Sequence, residues 1–426
     1  MTVHEFIREH AVKVNDGSGV LVNCLSEEYS YVLTAKHTLK TVNKIETWNG
    51  RPVDVIEVYE HADDCALIQV SFVDSLPLIR HKNDRVEYQQ DAIFGGFPLL
   101  RSKESTPEAR FKTYNGSLDP INNGYYFSIK GLPPRRMIEG ASGGGVYLLV
   151  GQRPYLIGVE IEMAGPQPHE VGEVECYDLK RFDEIVKAND LAPILPTFLE
   201  CFRRLRNNTF NFKKNIPGIL DGLRTQLHIK ADKLIDAGIP KPHELLALYD
   251  KSLILNGQVA ESMYDVDLWS SYAEFLVIDA ILYDVDVIDL AYLKQIERLR
   301  RFVYSRSEDG WLLDLNNIIS SARKLLDDGG VLIVSSGDSG SPPVADKEFI
   351  KYLVENIASP VGELEDDGTR IDVGLESGDI PFSFALLGSL HRECITRNER
   401  DFIGVTGYDL IVVLKEKYAS ELNKCK

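Results

Sequence analysis

The chain has 426 residues and a formal net charge of −18, with 44% hydrophobic and 26% charged residues. At roughly 100–200 residues per domain, that length implies about two to four domains, each able to bury its own core. The composition excludes a largely disordered, collagen-like or low-complexity chain.

The acidity is spread along both halves, so non-specific nucleic-acid binding has no global electrostatic support and direct binding is not expected. One basic run, Arg203, Arg204, Arg206, Lys213 and Lys214, reads as a solvated helix face. The six cysteines (Cys24, Cys65, Cys176, Cys201, Cys394 and Cys425) show no C-x-x-C spacing, which argues against a zinc ribbon or a thioredoxin-like site. The opening MTVHEFIREH has no apolar signal region. The apolar run near 275–293 is broken by Asp279, Asp284, Asp286 and Asp289, so no membrane span is expected. The expectation is a soluble cytoplasmic protein with reduced thiols, without metal or cofactor.

In chain order, residues 18–186 read as short strands, among them Gly19–Val22, Tyr31–Thr34, Val53–Val58, Ala66–Phe72, Ala92–Phe94, Tyr125–Ile129, Gly145–Leu149 and Leu156–Ile161. Turn residues bound them at short intervals, a pattern that predicts an antiparallel barrel or sandwich. Lys180–Lys187 reads as a closing helix, and Pro193 and Pro196 mark a boundary. Helical periodicity follows over Thr197–Arg206, Pro217–Asp236, His243–Leu255, Leu268–Tyr283 and Leu290–Val303. Beyond 306 the pattern mixes types: a helix over Trp311–Leu326, a strand over Val331–Ser335, a helix over Lys347–Ile357, and Leu410–Tyr418 running strand-like into a helix. The expected division is therefore 1–188, all β; 189–305, helical; and 306–426, a small α/β module for sensing or partner binding.

Three segments of the first module supply the residue types of a nucleophilic triad. YVLTAKHTL runs from a strand into His37, DDCALIQV places Asp64 before an apolar strand, and GASGGGV sets Ser142 among glycines. Serine is a weak nucleophile until an imidazole takes its proton, and a carboxylate must orient that imidazole. Flanking glycines let backbone N–H groups turn toward a developing oxyanion, with Gly140 and Ser142 as the expected donors.

Six segments in order, GSGVLVN (17–23), TAKHTL (34–39), DCALIQV (64–70), AIFGGFPLL (92–100), GASGGG (140–145) and LIGVEI (156–161), resemble the trypsin-like serine peptidases of the short HtrA-like type. The resemblance implies a chymotrypsin-like double barrel, a His37-Asp64-Ser142 triad, and a protein substrate bound beside Arg136, Met137, Gly158, Val159 and Glu160. It also exposes departures. Ala141 replaces the acid that pairs with a newly cut N-terminus in digestive members. Thr38 replaces a disulfide cysteine of secreted members. Gly158 stands where many members have a serine touching the catalytic acid. For the specificity pocket, Arg136 would favour an acidic side chain and Glu160 a basic one, unless both point to solvent.

Several look-alikes compete. Asp63 neighbours Asp64, and His61 precedes a strand without the alanine of the histidine box. Ser339 lies in a second serine-box-like loop, GDSGSP (337–342), which reads as a polar turn. Cys65 reads as a buried strand residue. His391 and Cys394 on LLGSLHRECI make two ligands and no more, and Glu365, Asp366 and Asp367 lack EF-hand spacing.

The arrangement resembles proteins of bacterial anti-phage and conflict systems. The tail has a likeness to C-terminal modules of ABC-three-component systems, which implies a regulatory protein partner such as an ATPase encoded nearby. The rival readings are a catalytically latent scaffold of peptidase fold, and a housekeeping HtrA-type peptidase, which the absence of a PDZ-like pattern disfavours.

Overall fold

In the computed structural model, the described residues are 1–74, 78–81, 86–122, 124–150, 153–163, 172–212, 216, 218–254, 260–305, 326–327, 329–336 and 383–424. They form two compact units, Met1–Glu200 and Cys201–Lys426. Lys213, Lys214, Ser339, the acidic residues 365–367, the helix expected over 347–357, and all of the helix expected over 311–326 but its last residue lie outside the described residues.

The first unit opens with helix α1 (Val3–Glu9), whose Thr2 and Glu5 cap each other reciprocally. Strands β1 (Ala11–Val14), β2 (Gly17–Val22), β3 (Tyr29–Thr34), β4 (Ile45–Thr47), β5 (Pro52–Val53), β6 (Val55–Glu60) and β7 (Ala66–Ser71) form one antiparallel sheet in the order β5-β4-β1-β2-β3-β7-β6. It rolls around a single core: Val53 from one edge strand and Val55 and Val58 from the other pack on Val12, Val14, Leu21, Val32 and Ile68. Strands β8 (Gln90–Gly96), β9 (Lys112–Ile121), β10 (Gly124–Ile129), β11 (Gly145–Val150), β12 (Arg153–Met163) and β13 (Glu173–Asp178) close into a barrel around Phe94, Tyr114, Phe127, Val146 and Cys176. This is the chymotrypsin-like double barrel. Alternation along the strands fills a third core between the two barrels, where Val20, Leu33, Leu67, Tyr147, Val159 and Ile161 meet. Ile7 of α1 and Phe182 of the helix Lys180–Ala188 seal it.

The second unit combines helices with a parallel sheet, β14 (Arg300–Ser305), β15 (Val331–Ser336) and β16 (Ser383–Leu386). Among the described residues its longer helices are Ile219–Asp236, Val266–Leu282 and Asp409–Lys424.

Three local expectations are corrected. The helix expected over Thr197–Arg206 is two 3₁₀ turns, Thr197–Leu199 and Phe202–Asn208, because Cys201 is extended between them. The helix from Leu290 ends at Leu299, and the next six residues leave it to pair with Val331–Ser336, a non-local gain that outweighs helical periodicity. The β-branched Ile411, Val412 and Val413 lie within the helix Asp409–Lys424. Two members of the basic run are paired locally: Arg203 with Asp232 (3.2 Å) and Asp236 (2.9 Å), and Arg206 with Asp232 (3.2 Å).

Candidate active site

β3 and β7 are neighbours with Thr34 opposite Ala66. That register carries the turn after β3 and the residues before β7 to the same end of the sheet. His37 sits in the 3₁₀ turn Lys36–Thr38, and its main-chain N–H donates to Asp64 Oδ1 at 2.8 Å. Its ring Nδ1 meets Asp64 Oδ2 at 2.7 Å, with both side chains partly exposed. The Asp64 hydrogen bond and charge hold the His37 pKa above the ordinary histidine value; partial burial opposes them. A ring donating through Nδ1 presents Nε2 as a base.

Asp63 turns elsewhere. It pairs with Arg181 at 3.2 Å, and its N–H donates to His61 Nδ1. His61 Nε2 pairs in turn with Glu184 at 3.0 Å, so His61 belongs to a surface network. Burial pushes the Cys65 thiol up to about 12, and Cys65 is wholly inaccessible.

Ser142 lies in the loop between the turn Arg135–Met137 and β11. Gly140 (φ +88°) and Gly143 (φ +93°) adopt left-handed backbone that favours glycine. Gly143 N–H donates to the Glu160 carbonyl and Glu160 N–H to the Gly144 carbonyl, both at 2.8 Å, which docks the loop on β12. Ser18 N–H donates to the Ser142 carbonyl at 2.8 Å, which docks it on β2. A Cβ built on Gly17 would lie 2.6 Å from the Thr38 methyl and 3.0 Å from the Ser142 carbonyl, so the histidine turn and the serine loop converge on that glycine. Among the described residues, the N–H groups of Gly140 and Ser142 donate to no backbone carbonyl. No hydrogen bond joins the Ser142 hydroxyl to His37.

The residues expected to line a specificity pocket divide. Arg136 is exposed and Met137 is 37% exposed, with the Met137 carbonyl accepting from the Tyr114 hydroxyl. Val159 puts its side chain into the core between the barrels, and Gly158 pairs with Val146 and Asp178 beside the Tyr177 carbonyl. Glu160 is 1% exposed, so solvent exposure is excluded for it. Burial pushes its carboxyl up to about 8, the charges of Glu162 and Asp64 act in the same direction, and hydrogen bonding from Ser142 opposes them. Burial therefore favours the uncharged form of Glu160.

Sequence reasoning missed Ser18 and Leu99, which hold the serine loop from outside. The available signal was Gly-Ser-Gly at 17–19, small residues that permit close approach of two backbones. Among the described residues no cluster of three or more metal-ligating side chains occurs, and no helix is long and apolar enough to cross a membrane. In the second unit, His391 is held between Glu274 (2.9 Å) and the Tyr418 hydroxyl, while Cys394 is buried.

Similar solved structures include kallikrein-related peptidase 10, 14% identical with a TM-score of 0.34, over 45% of this chain and 98% of that one. They also include the Rv3671c protease in its inactive form, 14% identical with a TM-score of 0.33, over 44% and 91% respectively. No curated protein matches the chain. The model of C-terminal domain 4 of the ABC-three component (ABC-3C) systems, CTD4, matches residues 176–396. With half of its length spanned by that match, the chain belongs to the CTD4 family of the ABC-three component systems.

Proposed function

We propose that the first unit is a serine endopeptidase acting in the cytoplasm, as part of a bacterial anti-phage system. In this reading Ser142 Oγ attacks the scissile carbonyl while His37 Nε2 takes its proton, and Asp64 stabilises the imidazolium. The Gly140 and Ser142 N–H groups receive the oxyanion. Collapse breaks the peptide bond as His37 returns the proton to the leaving amine. Water, deprotonated by His37, then releases the acid from Ser142. The second unit controls when and on what the peptidase acts, through a protein partner such as an ATPase encoded nearby.

The observation that carries this reading is the pair of hydrogen bonds from His37 to Asp64, beside a loop that leaves two N–H groups without a carbonyl acceptor. The test is labelling with a fluorophosphonate in wild type, Ser142→Ala and Ser339→Ala. Labelling lost in Ser142→Ala alone supports the reading; labelling lost in Ser339→Ala alone overturns it.

The missing hydrogen bond between Ser142 and His37 favours a second reading, a latent peptidase fold used as a scaffold. Wild type that stays unlabelled with its operon partners added, together with full biological function in Ser142→Ala, would establish that alternative.

A further inference from the structure

We propose that Ser18 is a positioning residue that sets the Glu139–Ser142 backbone in the conformation an oxyanion site requires. The inference rests on the peptidase reading for its chemical meaning.

A peptide unit is planar and trans, so fixing its carbonyl aims its N–H the opposite way. Each carbonyl from Glu139 to Ser142 is anchored. Glu139 O accepts from Leu99 N–H (2.7 Å), Gly140 O from the Ser18 hydroxyl (3.1 Å), Ala141 O from Gly144 N–H (2.8 Å) and Ser142 O from Ser18 N–H (2.8 Å). The N–H groups then alternate. Ala141 donates to Ile138 O and Gly143 to Glu160 O, whereas Gly140 and Ser142 find no backbone acceptor among the described residues. Those two are the pair an oxyanion needs.

Ser18 supplies two of the four anchors, those of the peptide units that carry the Ala141 and Gly143 N–H groups and alternate with the units that carry the oxyanion pair, and it is itself rigid. It is wholly buried; its hydroxyl also accepts from Phe97 N–H at 2.8 Å, and its carbonyl accepts from the Thr34 hydroxyl at 2.7 Å. Space around it is tight, since a Cβ on Gly96 would come within 3.0 Å of Ser18 Oγ. With Ala141 in the loop, no side-chain charge there performs this task. Ser18 makes the loop's conformation a property of strand β2.

The experiment pairs hydrogen–deuterium exchange with saturation kinetics of an alkyl fluorophosphonate, on the full chain, for wild type, Ser18→Ala and Ser18→Cys. Ser18→Cys keeps the size with a weaker donor, and it serves if Ser18→Ala does not fold. Exchange of the Ala141 and Gly143 amides should rise about tenfold or more in Ser18→Ala, and less in Ser18→Cys, while β11 and β12 stay protected. The maximal labelling rate should fall about 10- to 100-fold with the half-saturating concentration unchanged. Unchanged exchange overturns the proposal, as does faster exchange with an unchanged labelling rate. Faster exchange with a wild type that stays unlabelled even with its operon partners added keeps the clamp and removes the peptidase reading.

Discussion

Asp64 accepts two hydrogen bonds from His37, one from its main-chain N–H at 2.8 Å and one from its ring at 2.7 Å. The carboxylate thus fixes the turn and the imidazole together. Because it raises the His37 pKa, the low-pH limb of Ser142 labelling should lie above the ordinary histidine value. Asp64→Asn should move that limb down and slow labelling by about 10⁴-fold, the scale of the same change in a Ser-His-Asp enzyme. A pH–rate profile checks both, and an unmoved limb in Asp64→Asn counts against the pairing.

Glu160 adds an opposite dependence. Its folded pKa of about 8 lies above that of an unfolded carboxyl, so its contribution to stability is complete in acid and is lost as pH rises through about 8. Melting temperatures of wild type should therefore fall between about pH 5 and about pH 9 more than those of Glu160→Gln. Above about pH 8 the new carboxylate beside Ser142 should also slow labelling in wild type but not in Glu160→Gln. Parallel melting curves for the two proteins would refute the assignment.

Gly143 tests how tightly the loop is docked. A Cβ there would sit 1.9 Å from the Ser18 carbonyl and 2.4 Å from the Thr34 hydroxyl, at a φ of +93°. Gly50 has a similar φ of +81° with nothing within 4 Å. Gly143→Ala should cost roughly 3 kcal/mol or more, and Gly50→Ala about 1 kcal/mol, in urea unfolding. Equal costs would show that backbone strain alone matters at both positions.

In the second unit, Asp279 is buried against Arg300 and accepts from the Tyr292 hydroxyl at 2.5 Å, while the Arg300 guanidinium lies 3.8 Å from the Tyr283 ring centre. Removing the carboxylate strands a largely buried cation. Asp279→Ala should cost about 3–5 kcal/mol, and adding Arg300→Met should recover part of it. Denaturant unfolding of the double-mutant cycle measures the coupling; additive costs would mean the pair is not coupled.

Much of the candidate site was legible because its signals are local. A strand running into Ala-Lys-His, an Asp before an apolar strand, and a Ser among glycines each occupy a few consecutive residues. What was not legible depends on partners far away in sequence. The Ser18 hydroxyl and the Gly140 carbonyl lie 122 residues apart. The helix from Leu290 stops at Leu299 because a strand beginning at Val331 pairs with the next six residues.

Residue chemistry and chain order settled which groups are present: a histidine, an acid and a serine on an all-β module, and an amphipathic, mostly helical remainder. The Asp63–Arg181 pairing that leaves Asp64 facing His37, the burial of Glu160 and the lack of a backbone acceptor for the Gly140 and Ser142 N–H groups came from the folded chain. Strand side chains alternate with period two, so a shift of one residue in register exchanges a core position for a cleft position. Hydrogen-bond accounting needs both partners of every pair, and folding alone brings β2, β12 and the serine loop together.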